Sequence, residues 1–560
     1  MRQEQFEDES ERARALDPQR PDEPRDWLLT REERDNPHTR LDERHGGDVA
    51  WSTGNLAEPL IDGASYFAAL LEELRTVGHG DVVLFTDWQG DAGQRLSEEA
   101  GTEVVTVLGE AQDRGAEVRG LVWRSHTDQV GFFAEANRHL GEQLRRRGVP
   151  VMLDMRVKPG GAHHQKFVVV RRAGAPERDV AFVGGIDLAH NRRDDQDHDG
   201  DPQGRPTTEE YGEHAPWHDV QVRLRGPVVH DVETVFRERW EDPSPPSVAP
   251  WRHVTDRVRD VDTSPVPLSP QLPAPPPAGP HTVQLLRTYP ALGAGRAHPF
   301  APRGERSVAR GYRKALANAR ELVYIEDQYF WDRDVAAVFA EQLRANPRLH
   351  LLVVIPLHPD KDGLNRVAQH LGRDRAINPL MRVAPGRVAA YGLENPSGRP
   401  VYVHAKVTVV DDTWATTGSD NFNRRSWTHD AELTAAVLDR GYARDLRLRL
   451  AAEHLDRLGD VGTDELGDEG SGAPLPASRL VDVMADCLEP HDMFARYGES
   501  ADRLEAWHRG GRQGPRPAGR LRRLETATAS SWRTFVASAL LDQVHNPDGR
   551  PRDLRRRGEY

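Results

Sequence analysis

His164-Gln165-Lys166 and His404-Ala405-Lys406 each place an imidazole and an ammonium two residues apart, beside a valine-rich run. In a strand, side chains two apart share a face, so each run would present both groups together. An imidazole can attack phosphorus or donate a proton, and a neighbouring ammonium holds negative charge; the pairing suits a phosphate ester. With 24 histidines and five lysines in 560 residues, composition alone gives about 0.2 such triplets by chance. The lysines are Lys158, Lys166, Lys314, Lys361 and Lys406, among 75 basic residues. A chain that otherwise uses arginine thus keeps lysine in both triplets, where a compact ammonium is needed. Each triplet is followed by a small-residue turn, Gly184-Gly185-Ile186-Asp187 and Gly418-Ser419-Asp420-Asn421.

The doubled pattern H-x-K-x-x-x-x-D, then G-[GS]-x-[ND], resembles the phospholipase D superfamily. His163 to Asp195, with Pro216-Trp217-His218-Asp219-Val220, is more similar to its phosphatidylcholine-hydrolysing branch than to the superfamily at large. The second copy is complete: His404, Lys406, Asp411, Gly418, Ser419, Asn421. The first has Arg171 in place of the aspartate, with Asp179 expected to take over its bond. The resemblance spans about residues 55–450.

The chemistry requires a nucleophile for phosphorus, a proton for the departing alcohol and positive charge around the phosphoryl oxygens. The residues alone do not say which histidine attacks. The family's ordering implies His164 as nucleophile, through a phosphohistidine, and His404 as general acid and then base. Lys166 and Lys406 would hold the phosphoryl oxygens, and Asp411 completes the motif. The resemblance also implies that Asp187 and Asn421 line the pocket, with Ser419 as a hydroxyl donor. Each imidazole needs a partner to fix its tautomer. The candidates are Asp219 and Glu432, and the resemblance has each reaching the histidine of the other half. His163 would point to the opposite strand face, and Glu326 to Phe330 would edge the entrance or pack.

The elements needed to position these groups also recur. Helical spacing over Tyr66–Leu74 precedes strand-like runs at 81–88 and 118–123; Val308–Leu316 precedes runs at 322–330 and 349–355. The repetition predicts an α/β fold of two duplicated lobes, each on a mixed sheet. The resemblance implies that they pack about a pseudo-two-fold axis with both triplets at the seam. The expected division is a polar, poorly packed arm (1–48), a first lobe (49–241), a Pro-rich linker (242–282), a second lobe (283–450) and an accessory region (451–560) with helices at 477–488 and 526–544.

Composition narrows the partners. A net charge of −14 argues against nucleic acid, and no apolar run reaches the length of a membrane span. The N-terminus has no apolar signal segment, and a lone Cys487 fits a cytosolic protein. Asp195 to Gly200 opens like a calcium loop, but Pro206 stands where a bidentate glutamate is required. No metal or cofactor is therefore expected in the chemistry. The resemblance implies phosphodiester cleavage on the headgroup side of a phospholipid at a membrane surface, with transfer to other alcohols. The alternatives are a cardiolipin synthase-like transferase and a nuclease of the same superfamily.

Overall fold

The computed structural model describes residues 23–126, 134–246, 266–293, 295–458, 476–524 and 531–560. Its plan follows from the valine-rich runs, which are buried on both faces. In β5 (Phe167–Arg171), Val169 faces an interior between two sheets, while Val168 and Val170 face helices on the outside. In β15 (Lys406–Val410), Val407 and Val409 face that interior and Val410 the outer helices. Alternate residues of one strand thus fill two different cores.

The first sheet comprises β1 (Ser52–Ile61), β2 (Val82–Asp87), β3 (Glu117–Trp123), β4 (Val151–Asp154), β5, β6 (Val180–Gly184) and β8 (Val220–Arg225); β7 (Trp217–His218) lies apart. Its order is β1-β8-β6-β5-β2-β3-β4, with β2, β3 and β4 parallel and the other neighbours antiparallel. The second sheet repeats this order and these directions as β9-β17-β16-β15-β11-β12-β13. These strands are β9 (His281–Tyr289), β11 (Leu322–Asp327), β12 (His350–Val354), β13 (Val388–Glu394), β15, β16 (Trp414–Gly418) and β17 (Glu432–Leu438). The short β10 (Glu305–Arg306) adds to β9, and β14 (Pro400–Val403) to β13. The sequence duplication is therefore a duplication of topology. The third parallel strand of each half, β4 and β13, was not anticipated.

The halves are stitched at two matching places. Tyr402 and Val403 of β14 pair with Trp217 and His218 of β7, and His163 bridges to Ala431. In each, the segment before a triplet meets the segment carrying the other half's orienting carboxylate.

Three stretches differ from expectation. From residue 24 the arm is packed: Trp27, Leu28 and Leu29 join the outer core of the second sheet, and buried Arg34 pairs with Asp42 and Glu305. The few apolar residues there are concentrated where they dock. β18 (Leu521–Arg523) adds an edge to β13, so the C-terminal region extends a sheet as well as contributing helices. Those helices include Ala477–Val483, followed by a 3-10 turn at Ala485–Cys487, then Pro490–Arg509, and Ser531–Leu540, which runs on as a π-helical turn at Leu541–His545; residues 525–530 lie outside the described residues. In the linker, the described residues 266–280 form neither helix nor strand, as dense proline dictates.

Candidate active site

Both triplets sit where a motif strand starts, at the carboxyl ends of the parallel strands: Phe167 pairs with Thr86, and Lys406 with Asp327. The site of an open α/β sheet lies at this edge. His164 and His404 just precede β5 and β15 and line one cavity of about 400 Å³ between the halves. Neither half alone encloses it.

Each imidazole is held by a carboxylate of the other half. His164 Nδ1 lies 2.9 Å from Glu432 Oε2, and His404 Nδ1 lies 2.6 Å from Asp219 Oδ2. The backbone repeats the exchange, His164 N–H donating to Ala431 O (2.8 Å) and His404 N–H to His218 O (2.7 Å). With Nδ1–H directed at the carboxylate, Nε2 keeps its lone pair for the cavity. The close approach depends on glycine: a Cβ on Gly185 would stand 2.1 Å from Asp219 Oδ1, and one on Gly418 2.0 Å from Thr434 Oγ1.

Burial holds both imidazoles well below the ordinary histidine range. Lys166 and Lys406 add to this at His164, and Lys406 and Arg192 at His404. Burial raises Glu432 to about 7 against the pull of its Ser419 hydrogen bond, and also raises Asp219. Both members of each pair are thus pushed toward the uncharged form.

The lysines lie beneath the histidines rather than on the cavity wall. Lys166 Nζ donates to His164 O (2.8 Å) and is 3.7 Å from Asp187; Lys406 Nζ donates to His404 O and to Gln328 Oε1 (3.2 Å). An ammonium has three donors, so Lys166 retains two and Lys406 one. Burial lowers Lys406 to about 8.

Of the remaining expected residues, Asn421 lines the cavity, its buried Oδ1 without a hydrogen-bond partner. Three are placed differently. The Ser419 hydroxyl is not a pocket donor; it donates to Glu432 Oε2 (2.6 Å) and accepts from Leu433 N–H, because the turn directs it behind the wall. Asp187 is fully buried behind the wall, where Oδ1 accepts from Trp88 and Gln89 N–H (3.0 and 3.2 Å) and Oδ2 lies 3.6 Å from Arg192. Asp411 lies at the far end of β15 and caps the N–H groups of Arg320, Glu321 and Leu322. It is a structural cap, not a group at the reacting centre. Its first-half counterpart, Arg171, is buried against Asp179 (2.7 Å) and Glu233. Arg171 also donates to the carbonyls of Leu272 and Pro273, so it secures the linker; Asp179 pairs with Arg171 through one oxygen and accepts the Arg172 N–H, just past β5, with the other. His163 pairs with Asp154 (3.2 Å), away from the cavity.

Sequence reasoning missed the wall's own cations and aromatics. Arg192 lines the cavity, its guanidinium 4.2 Å from the Trp217 ring, and Arg425 lines it from the other half. A signal was present: Asn-Arg-Arg follows both turns, at 191–193 and 423–425. Trp88, Trp123, Trp331 and Tyr402 form an aromatic wall that no spacing disclosed, together with Tyr329 from the stretch expected at the entrance.

Two family models match the chain: phospholipase D over residues 81–371, and the cardiolipin synthase, PLD-like domain over 312–452. Among curated proteins, it is 25% identical over 416 residues to phospholipase D alpha 1 of Zea mays, covering 55% of this chain and 50% of that protein. It is 26% identical over 418 residues to phospholipase D beta 1 of Arabidopsis thaliana, covering 54% and 38%. The chain thus spans about half the length, or less, of these relatives. Among solved structures, phosphatidylserine synthase of Haemophilus influenzae Rd KW20 aligns with a TM-score of 0.47 at 14% identity, over 72% of this chain and 84% of that one.

Proposed function

Because the chain belongs to the phospholipase D family, we propose that it cleaves the headgroup side of a glycerophospholipid through a phosphohistidine and passes the phosphatidyl group to water or another alcohol. The observation that carries this is the pair of histidines on one cavity, each held by a carboxylate from the other half.

In this reading His164 attacks phosphorus through Nε2, and His404 donates its Nε2 proton to the departing headgroup oxygen. His404 then takes a proton from the incoming water or alcohol, whose oxygen displaces His164 from phosphorus. The side chain of His164 is 13% exposed against 4% for His404, which favours His164 as the group that reaches phosphorus. Arg192 on the wall, with Lys166 and Lys406 beneath, balances the phosphoryl charge. The phosphodiester's own negative charge counters these cations, so an imidazolium becomes favourable as substrate enters. No cofactor enters the scheme.

The test is choline release from phosphatidylcholine, beside single-stranded DNA and with a primary alcohol as competing acceptor. Choline release and phosphatidyl-alcohol formation are expected; cleavage of DNA alone would support the nuclease reading. The match of residues 312–452 to the cardiolipin synthase domain favours a second reading as a phosphatidyltransferase. It predicts transfer to a glycerol-type acceptor outrunning hydrolysis.

The pH profile should carry the mark of Lys406. Its ammonium is charged below about 8 and is lost as pH rises through that value, so kcat/KM should fall on the alkaline side there. His164 is depressed and stays neutral below the ordinary imidazole range, so its acid limb moves down. In Lys406→Arg the guanidinium does not titrate, and the residual activity should lose the limb near 8. An unmoved limb would assign it to another group.

A lipid surface has a matching feature. Trp532 (63% exposed), Phe535 (79%) and Val536 (39%) project from helix Ser531–Leu540, whose Ala537 packs inward with Trp331. Val544, a few residues on, lines the cavity. We propose that this face enters the bilayer interface. Among the described residues no helix is long and apolar enough to cross a membrane. A double Trp532→Ser, Phe535→Ser change should cost roughly tenfold or more in kcat/KM on vesicles. The loss should vanish on a monomeric short-chain phospholipid; an equal loss on both would make the effect one of folding.

A further inference from the structure

Behind the His404–Asp219 pair, away from the cavity wall, four buried side chains from four separate elements converge. Asp62 follows β1, His198 lies in the long loop after β6, His218 is in β7, and Glu453 ends helix Arg440–His454 beyond the second sheet. One donor atom from each lies within 4.8 Å of all the others. His218 Nδ1 is 3.0 Å from Asp62 Oδ1 and 3.1 Å from Glu453 Oε1; His198 Nε2 is 3.0 Å from the same Glu453 oxygen.

Two imidazole nitrogens and two carboxylates form a donor set suited to zinc. A tetrahedral ion with bonds near 2.1 Å sets its donors about 3.4 Å apart, close to these separations. Two carboxylates and two neutral imidazoles balance a divalent cation, leaving no net charge in a site shut off from water.

The surroundings provide an independent observation. A ligating histidine characteristically directs its other ring nitrogen at a carboxylate, which fixes its orientation. Here His218 Nε2 lies 2.7 Å from Glu326 Oε2, and Glu326 in turn meets His454 Nε2 at 2.7 Å. His198 Nδ1 faces Asp194 at 3.8 Å and has no hydrogen-bond partner. Asp62 and His198, both non-glycine, hold left-handed backbone (φ 63° and 53°), so two of the four donors sit on sparsely populated conformations. The acidic run 195–200 contributes its histidine to the cluster while its aspartates stay in the loop.

We propose that Asp62, His198, His218 and Glu453 bind a structural zinc-class divalent cation that joins the first half to the helix closing the second. The ion takes no part in the reaction. It acts by position: His218 O receives His404 N–H, and Asp219 O receives Asp62 N–H at 2.8 Å, so the cluster backs the segment that orients His404.

The test is metal content. Tag-free protein from cells grown with added zinc, desalted without chelator, should carry about one equivalent by mass spectrometry of the metal. His198→Gln and Glu453→Gln should each reduce this to below about a fifth of an equivalent and lower the unfolding midpoint by on the order of 2 °C or more. Asp195→Asn and Asp197→Asn, in the exposed loop, should keep both metal and midpoint. Wild-type protein with no divalent metal, and a midpoint unmoved by added zinc, would overturn the proposal and leave an imidazolium–carboxylate network. Metal retained equally in all the variants would also overturn it.

Discussion

His404→Asn protein is expected to accumulate a phosphatidyl adduct on the peptide containing His164 when the substrate has a leaving group that needs no proton, such as a nitrophenol ester. Attack by His164 requires only its neutral Nε2, which burial and the two lysines favour. Release requires a base for water, and that base is the imidazole removed. The adduct therefore forms and stays. His164→Asn should form none, and with the natural headgroup both variants should lose about 10⁴-fold or more in turnover. Mass spectrometry of the quenched protein locates the phosphorus. An adduct on His404 in the reciprocal experiment would exchange the two roles within the same mechanism. Full activity in both variants would end the phosphohistidine reading.

Glu432→Gln should be nearly as damaging without altering the fold. The introduced amide is almost the same size and can still accept from Ser419. Its NH₂, however, can donate to His164 Nδ1, which moves the imidazole proton to Nε2 and removes the lone pair needed for attack. An amide also cannot stabilise an imidazolium. A fall in kcat of about 10³–10⁴-fold is expected, the size of a wrong-tautomer defect. Asp219→Asn should do the same at His404, with the loss smaller for substrates whose leaving group needs no proton. If each carboxylate acts through its histidine, the double change of His164 and Glu432 should cost little more than His164 alone. Additive losses would give Glu432 a separate role. A variant of Ser419, which reaches His164 only through Glu432, should lose far less.

Those cross-lobe pairs were legible through the resemblance: position in the sequence offers Asp219 and Glu432 as candidate partners, and the family's arrangement sets each against the histidine of the other half. The duplicated α/β plan was legible from strand-like runs alternating with amphipathic helices, whereas the strand order and the third parallel strands, β4 and β13, were not. Contacts made by very short or very polar segments were not legible. β7 has two residues and β18 three, too few for any periodicity, yet one stitches the halves and the other extends a sheet. The arm at 24–50 reads as polar because arginine and aspartate dominate it, but a charge such as that of Arg34 can be buried once it is paired. Ser419 and Asp187 were misjudged because a turn motif specifies which residues sit together and not which side each faces. Arg192 and Arg425 were overlooked although Asn-Arg-Arg recurs at the same place in both copies. In a chain so rich in arginine, that tripeptide carries little signal of its own.

The reciprocal stitching also bears on how such a chain departs from symmetry. A self-paired dimer of one lobe would offer the same two histidines and two carboxylates, each partner completing the other, but only above the concentration at which the partners associate. The proline-rich linker removes that threshold, since a tether of this kind holds two binding modules at an effective concentration of order millimolar whatever the dilution. Freed from serving both roles with one sequence, each half can specialise. Asp411 keeps a strand cap on one side while its counterpart, Arg171, grips the linker itself through Leu272 and Pro273. The tether is thus fastened from the position that, in the other half, carries the strand cap.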